Sequence, residues 1–450
     1  MTKHLWKFLF LTLLWFPFVF PACAQADGDI LELSLRRAVD IATAPDGNVR
    51  IQLVREAIAQ ATARSAQARA ALLPNISASV GEQNLTRNLS AFLGLEIESP
   101  FPIIQIPRLV GPYNIFDARG TVGWNILDAS AIRRFQASRV GVQASAGEAD
   151  AARDEVAHAV ASLYFAALRA EARVEAVGAD VKLAESLLTL AMNQKTAGTG
   201  TGIEVTRAQV QLAHERQLLL VAENERRQSH LRLMKTMGLK LDSEIKLTEK
   251  LAYTPFSAPP LEKAIASALE ARADLKAQAK REEAARTNYS AAKMARFPSV
   301  AAVADYGSIG RGVSDALPTR AYGIAVRVPI FDGGMIEARR SESHSQYDQE
   351  RVRTADLRKQ LELEIRLALD SLRSSQDQVQ VAEEGFRQVE SELEQARRRY
   401  EAGVANSLEV TDAQTRLARA RDNHIAALYL YSQARIDLGH AMGTIRQMIP

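Results

Sequence analysis

The stretch YEAGVANSLEVTDAQ, residues 400–414, matches an earlier stretch, KTAGTGTGIEVTRAQ, residues 195–209. Aligned without gaps, the two share Ala-Gly, Glu-Val-Thr and Ala-Gln, and Gly403 corresponds to Gly198. A glycine that adopts the left-handed conformation commonly ends a helix. Asn406 and Ser407 are typical residues for the start of the next helix. Each copy therefore predicts a tight turn between two helices.

Four further pairs of matching stretches, all in the same order, indicate that the chain is a tandem duplication. They are LRRAVDIA and LEKAIASA (35–42, 261–268), LLPNISA and RFPSVAA (72–78, 296–302), ILDAS and IFDGG (126–130, 330–334), and LMKTMG and LGHAMG (233–238, 438–443). The predicted first repeat is residues 27–238, the linker is 239–260, and the second repeat is 261–450. The first copy holds an excess of roughly 20 residues between Pro74 and Asp128.

The helices on both sides of the second turn carry an apolar seam with a seven-residue period. Its members are Ile365, Leu372, Val379, Phe386, Leu393 and Tyr400, followed by Val410, Leu417, His424, Tyr431 and Leu438. A seven-residue repeat of this length predicts antiparallel coiled-coil packing. A helix from Gly334 to Tyr400 would be roughly 100 Å long, more than a compact core requires.

Four segments alternate between apolar and polar residues and predict strands, at about 74–86, 115–128, 298–310 and 320–331. Each has the length that a tilted strand needs to cross an outer membrane. A soluble, half-buried hairpin is the alternative interpretation. The proline-rich segment SPFPIIQIPRLVGPYN, residues 99–114, predicts a loop facing outward, either a variable loop or a lid over an outer mouth.

The N-terminal segment predicts export. Residues 1–26 combine two lysines, an apolar run and small residues near Ala26, which is typical of a signal peptide. Cys23 is the single cysteine; it is either removed with this segment or acylated as the first residue of a lipoprotein. The formal net charge of +3 gives no case for a nucleic-acid partner.

No chemistry-bearing motif is found in the sequence. The histidines show no metal-ligand spacing, GTGTG at 198–202 lacks the lysine of a phosphate loop, and no catalytic triad or carboxylate pair can be argued. We therefore expect no metal, no cofactor and no enzymatic activity.

The signal segment, the duplication, VPIFDGG (328–334) before a long helix and YEAGVANSLEVTDAQ together resemble the TolC-type outer-membrane efflux proteins, the outer membrane factors of tripartite efflux or type I secretion systems. The resemblance covers Leu33 to Gly443. It implies a mainly α fold with a membrane β-barrel, in which a homotrimer forms an α-barrel tunnel and four strands per chain join a shared 12-stranded barrel.

The resemblance also implies a function and a location. The protein would be a passive exit duct in outer-membrane lipid of a Gram-negative bacterium, extending into the periplasm. A periplasmic adaptor and an inner-membrane pump would be its partners. The resemblance does not specify the transported substrate, which could be drugs, metal ions, a signalling molecule or a secreted protein. The alternative is a periplasmic coiled-coil scaffold or adaptor without a pore.

Family roles fall on residues of the two turns. The resemblance places a periplasmic gate at Glu409, Asp412, Glu204 and Tyr400. It places adaptor docking at the tips, which include Gly198, Gly200, Gly202, Gly403, Asn406 and Ser407. The sequence departs from the family pattern at Ala405, where an arginine of the latch is expected, and at Arg207, where the first copy lacks a second acid.

Overall fold

The structure, a computed structural model, describes residues 31–89, 91 and 109–448. The predicted signal segment, Cys23 and the first part of the proline-rich segment lie outside these residues. The described elements follow in this order: β1 (Leu31–Leu33), α1 (Leu35–Thr43), α2 (Val49–Ala70), β2 (Asn75–Asn88), β3 (Leu109–Leu127), α3 (Ala129–Thr196), α4 (Gly202–Met237), β4 (Ile245–Leu247), α5 (Leu261–Ala271), α6 (Ala273–Met294), β5 (Ser299–Gly310), β6 (Leu317–Arg327), α7 (Met335–Glu401), α8 (Ser407–Ala441) and α9 (Ile445–Met448).

Two very long helices span the molecule. Helix α3 has 68 residues and α7 has 67, so each is roughly 100 Å long. Each turns back into a shorter helix, α4 or α8, to form an antiparallel hairpin. The seven-residue seam is largely buried, with Ile365, Leu372 and Tyr431 inaccessible to solvent. The coiled-coil interpretation is therefore confirmed for these helices.

The helices lie side by side in two tiers. In the tier next to the strands the order of packing is α2, α3, α6, α7, and in the tier next to the turns it is α4, α3, α8, α7. Between the tiers, short elements pack on the long helices, among them the parallel pair β1–β4. Tyr164 and Tyr431 are buried there and donate hydrogen bonds to the carbonyls of Leu33 (3.0 Å) and Thr254 (2.6 Å).

The four long strands form one antiparallel sheet in the order β2-β3-β5-β6. Its two hairpins have the same register: Ile76 is opposite Val122 in the first, and Val300 is opposite Val326 in the second. Val300 follows Ile76 by 224 positions and Val326 follows Val122 by 204 positions, the two offsets that separate the repeats in the sequence. The duplication is therefore preserved in the strand pairing.

The two faces of this sheet differ in polarity. One face is apolar and mostly exposed in the single chain; it includes Ile76, Val80, Tyr322, Ile324 and Val326. The opposite face carries Ser77 and Thr121, whose hydroxyls lie 2.6 Å apart, and the ion pairs of Arg119 with Asp117 and Asp305. Such a division is typical of strands with lipid on one side and a polar interior on the other.

The proline-rich segment does not end where the sequence predicts. Strand β3 begins at Leu109, so residues 109–114 are extended strand rather than loop. Pro112 is tolerated because this end of β3 pairs only with β2; its pairing with β5 begins at Phe116. A register shift between Leu85 and Arg87 lies beside it. Because proline has no N–H to donate, it fits in a strand segment that is paired on one side only and has an irregular register.

Candidate functional site: the two helical tips

The turn at residues 197–203, here the first tip, and the turn at residues 402–408, the second tip, end their helices in the same way. Gly198 and Gly403 are left-handed, with φ of +77° and +74°. The amides that follow them, Thr199 N and Val404 N, each donate to a carbonyl five residues back at 3.0 Å. This pattern satisfies the carbonyls left open at a helix end and explains why both copies keep the glycine.

The two tips start their second helices differently. At the second tip, the side chain of Asn406 accepts a hydrogen bond from Glu409 N at 3.1 Å. At the first tip, the carboxylate of Glu204 reaches back and accepts from Thr201 N at 2.8 Å. An acid in the first turn also suits the positive end of the helix dipole. Glu204 therefore caps its own helix, whereas the carboxylate of Glu409 is not used as a cap.

The acids of the second tip are paired with arginines. Arg399 Nε lies 3.3 Å from Glu409 Oε1 across the turn. Arg416 lies 2.5 Å from Asp412 Oδ2 and also 2.6 Å from Glu392 on α7. The two acids and both arginines are exposed, so solvent weakens these pairs. The structure thus places the predicted gate acids on α8 with a cation next to each.

Tyr400 is 5% exposed and packs among apolar residues of both repeats. Its hydroxyl makes no hydrogen bond. The polar contact between the repeats at this point is a hydrogen bond in which Gln194 Nε2 donates to the backbone carbonyl of Tyr400, at 3.4 Å. Burial, followed by the nearby charge of Glu204, raises the pKa of the Tyr400 hydroxyl. Tyr400 therefore holds the tips through packing, and its hydroxyl makes no direct link.

A small cavity of about 30 Å³ lies between the two hairpins near the tips. Tyr400, Ser407, Glu204 and Arg207 line it, so it brings together residues of both repeats. The Ser407 hydroxyl is buried without a hydrogen bond. Of the predicted gate residues, the structure brings Tyr400 and Glu204 to one place, and it puts Glu409 and Asp412 elsewhere, toward α7.

The tips also expose apolar side chains. Ile203, Val404 and Leu408 are each more than half exposed. Gly198, Gly202 and Gly403 have open space where a side chain would be. Gly200 is different, because a Cβ there would lie 3.0 Å from Gln194 Cβ. The tips therefore present a small, partly apolar surface that extends beyond the helices.

Sequence reasoning missed the arginines of the second tip. Arg416 could have been found, because it follows Asp412 by four positions on one helix, the spacing at which side chains meet. Arg399 lies in a run of three arginines, 397–399, and nothing in the sequence indicates which of them meets Glu409. Only the geometry of the turn selects Arg399.

Two features are absent from the residues that the structure describes. No group of three or more His, Cys, Asp or Glu side chains in the described ranges is arranged to hold a metal ion. Within the part of the chain that the structure describes, no helix has both the length and the apolar character that a membrane span requires.

A family model and two similar proteins all describe outer membrane proteins of efflux or export. A model of the family described as outer membrane efflux protein matches residues 44–239 and 264–444. The pyoverdine export outer membrane protein OpmQ of Pseudomonas aeruginosa is 25% identical over 405 residues, which cover 86% of this chain and 80% of that protein. OpmQ of Pseudomonas putida is 23% identical over 289 residues, covering 63% of this chain and only 61% of that protein.

Solved structures show the same fold. The CmeC outer membrane channel of Campylobacter jejuni superposes with a TM-score of 0.74 at 18% identity, covering 91% of this chain and 86% of that one. The likeness confirms the predicted fold class, in which long antiparallel helices of a tunnel wall are joined to strands of a membrane barrel.

Proposed function

Because this chain belongs to the outer membrane efflux protein family, whose place is the outer membrane, we propose that it is the passive exit duct of an efflux or secretion system. Three copies form one channel, closed at rest at the helical tips. A periplasmic adaptor and an inner-membrane pump open it, and the duct performs no chemistry itself. The observation that carries the proposal is a set of edges that have no partner among the described residues of the single chain.

Every layer of the chain ends on the same two open flanks. The sheet ends at β2 and β6, the tier beside it at α2 and α7, and the tier of the tips at α4 and α7. Unpaired strand edges are not tolerated in lipid, because their N–H and C=O groups would lack partners. One flank belongs to the first repeat and the other to the second, so copies can join head to tail into a ring.

The number of copies follows from the width of the barrel. Two copies would give eight strands, and side chains fill the interior of barrels of about that size. Three copies are the smallest ring that leaves an open lumen, with the polar face of Ser77, Thr121 and Arg119 inside and the apolar face in lipid.

The duplication specifies the register between neighbouring copies. Within the chain, Val122 of β3 is opposite Ala304 of β5. The residue of β6 equivalent to Val122 is Val326, and the residue of β2 equivalent to Ala304 is Val80, by the offsets of 204 and 224 positions. In the ring, Val326 of one copy is therefore opposite Val80 of the next.

This register can be tested with cysteines. In outer-membrane fractions, the double variant Val80→Cys/Val326→Cys should form disulfide-linked trimers on non-reducing gels, since cross-strand Cα atoms lie about 4.5–5.5 Å apart. Val80→Cys/Ala325→Cys is the matched control; its second cysteine points to the opposite face and should give monomers. Monomers from both variants, with a soluble periplasmic protein, would instead support a scaffold without a pore.

The tips support the opening step of the proposal. Their exposed Ile203, Val404 and Leu408 form a surface on which adaptor helices can dock. The gate is assigned to Tyr400 and Glu204 beside the cavity and to Glu409 and Asp412 on α8. Three copies of these acids around one axis would form charged rings at the entrance.

A further inference from the structure

The two hairpins of one chain touch mainly along α3 and α8, and several polar or aromatic contacts mark this junction. From the middle of the molecule toward the tips they include His158 with Asp437 (2.7 Å), Ser162 with Gln433 (2.9 Å), Arg169 with the Tyr429 ring (5.2 Å), Asp180 with Arg421 (2.5 Å) and Gln194 with the carbonyl of Tyr400 on α7 (3.4 Å). The Asp180–Arg421 ion pair is the last charged link before the tips.

This ion pair is better shielded than the other arginine pairs near the tips. The Asp180 side chain is 13% exposed and that of Arg421 is 21% exposed. Arg421 Nη1 also donates to the carbonyl of Ala176 at 3.3 Å, and its guanidinium lies 5.9 Å from the ring of Phe386. One arginine of α8 therefore holds α3 at two points and packs on α7.

Beyond the ion pair the junction is weaker. The segment from Asp180 to Thr196 is roughly 24 Å of helix, and that from Ser407 to Arg421 is roughly 21 Å. Over this length the hairpins share one polar contact among the described residues, the long hydrogen bond of Gln194 with the Tyr400 carbonyl. The remaining contact is apolar packing of α3 leucines around Tyr400. Apolar contacts without a fixed hydrogen-bond geometry allow sliding more readily than a partly buried ion pair does.

The duplication shows that the pair is specific to this junction. The residue equivalent to Arg421 in the first repeat is Arg216, and the residue equivalent to Asp180 in the second is Gly385. Arg216 binds Glu185 within its own hairpin, at 2.9 Å, and both side chains are about half exposed. In a ring, the junction between copies would place Arg216 near Gly385, which has no carboxylate.

We propose that Asp180 and Arg421 are positioning residues for opening: the pair holds the two hairpins together above the tips and is strained when the tips separate, so it favours the closed state and limits movement to the segments below it. This inference rests on the proposed opening at the tips. It assigns the moving segments to residues 181–203 and 402–420.

The test is the conductance of purified trimers in planar bilayers without an adaptor. Arg421→Gln and Asp180→Asn should each raise the fraction of time spent open roughly fivefold or more, a typical size for coupling between elements. The exchange Asp180→Arg/Arg421→Asp should restore closure. Arg216→Gln, the same substitution at the duplicated position, is the control and should leave the open fraction unchanged.

Two further results keep the test decisive. If either single variant fails to assemble, Asp180→Asn/Arg421→Gln leaves no unpaired buried charge and should still give the raised open fraction. Intact trimers of these variants that open no more than the wild type would overturn the inference, as would an equal effect of Arg216→Gln. Failure of the duct proposal looks different, because the wild-type protein would then form no channel at all.

Discussion

Arg399 and Glu409 face each other across the second tip, with 3.3 Å between Arg399 Nε and Glu409 Oε1. Their sequence positions lie on different helices, and the left-handed Gly403 brings them together. Each of these two acids is therefore paired with an arginine of the same copy, Glu409 with Arg399 and Asp412 with Arg416. In the proposed duct, charge at the entrance would depend on these arginines as much as on the acids.

Removal of the arginines should therefore unmask the acids. Arg399→Gln/Arg416→Gln is expected to tighten block of the channel by trivalent cations roughly tenfold, which corresponds to about 1.4 kcal/mol of added attraction. Glu409→Gln/Asp412→Asn should weaken the same block and leave an excess of positive charge. Cation titrations of single-channel current, at low and high salt, measure both effects.

Arg311→Gln serves as the control, since Arg311 lies in the turn between β5 and β6, at the far end of the strands and distant from the helical tips. Equal block in the arginine variant and the wild type would show that these residues do not face the ion path.

The two left-handed tip glycines, Gly198 and Gly403, should be sensitive to alanine because of backbone strain alone. Gly403→Ala has open space for its methyl group but forces a left-handed conformation, which costs about 1–2 kcal/mol. Gly202→Ala also has open space and lies at the start of α4 without a positive φ, so it should cost nothing measurable. Urea unfolding of the trimer, with proteolysis at the tips as a local readout, distinguishes the two.

Tyr400 should act through its ring rather than its hydroxyl. Tyr400→Phe removes a buried hydroxyl that has no hydrogen bond, and we expect thermal stability and closure to change little. Tyr400→Ala leaves a large cavity in the packing between repeats and should cost about 3–5 kcal/mol, with a leaky entrance. Melting curves and bilayer conductance of the two variants answer the question, and a leaky Tyr400→Phe channel would refute a packing role.

The junction between repeats should weaken in mild acid because of His440. Burial, then the neighbouring His158 and Arg272, lowers the pKa of the His440 imidazole below its usual value near 6.5. As pH falls below about 6.5, the unfolded chain takes up the proton before the folded chain does, so stability falls until the folded pKa is passed. The loss is at most about 1.4 kcal/mol for each unit of pKa shift.

Melting temperature measured between pH 7.5 and 5 checks this expectation. His440→Gln should flatten the dependence, whereas His344→Gln, at an exposed position of α7, should leave it as it is. An unchanged slope in the His440 variant would assign the acid sensitivity to another group.

Much of the fold could be predicted from residues that interact within one element. The seam from Ile365 to Tyr400 predicted the second half of α7, and VPIFDGG (328–334) marked where that helix begins. The alternation around Val326 predicted a strand with two different faces. The start of β3, which contains Pro112, is predicted less well, because residues 99–114 are interpreted as a loop on the ground that proline is excluded from central strands. Its tolerance depends on whether the neighbouring strand pairs at that point, which local sequence does not specify.

By itself the sequence determined the periods and the turns, because these follow from the backbone geometry of neighbouring residues. It also determined the duplication, because matching stretches recur in the same order. Only the tertiary structure decided that Arg399 meets Glu409, that the Tyr400 hydroxyl has no hydrogen bond, and that Arg421 pairs with Asp180 of the other hairpin while Arg216 pairs with Glu185 of its own. Such contacts join residues that are distant in the chain, and they depend on how helices of about 100 Å align over their whole length.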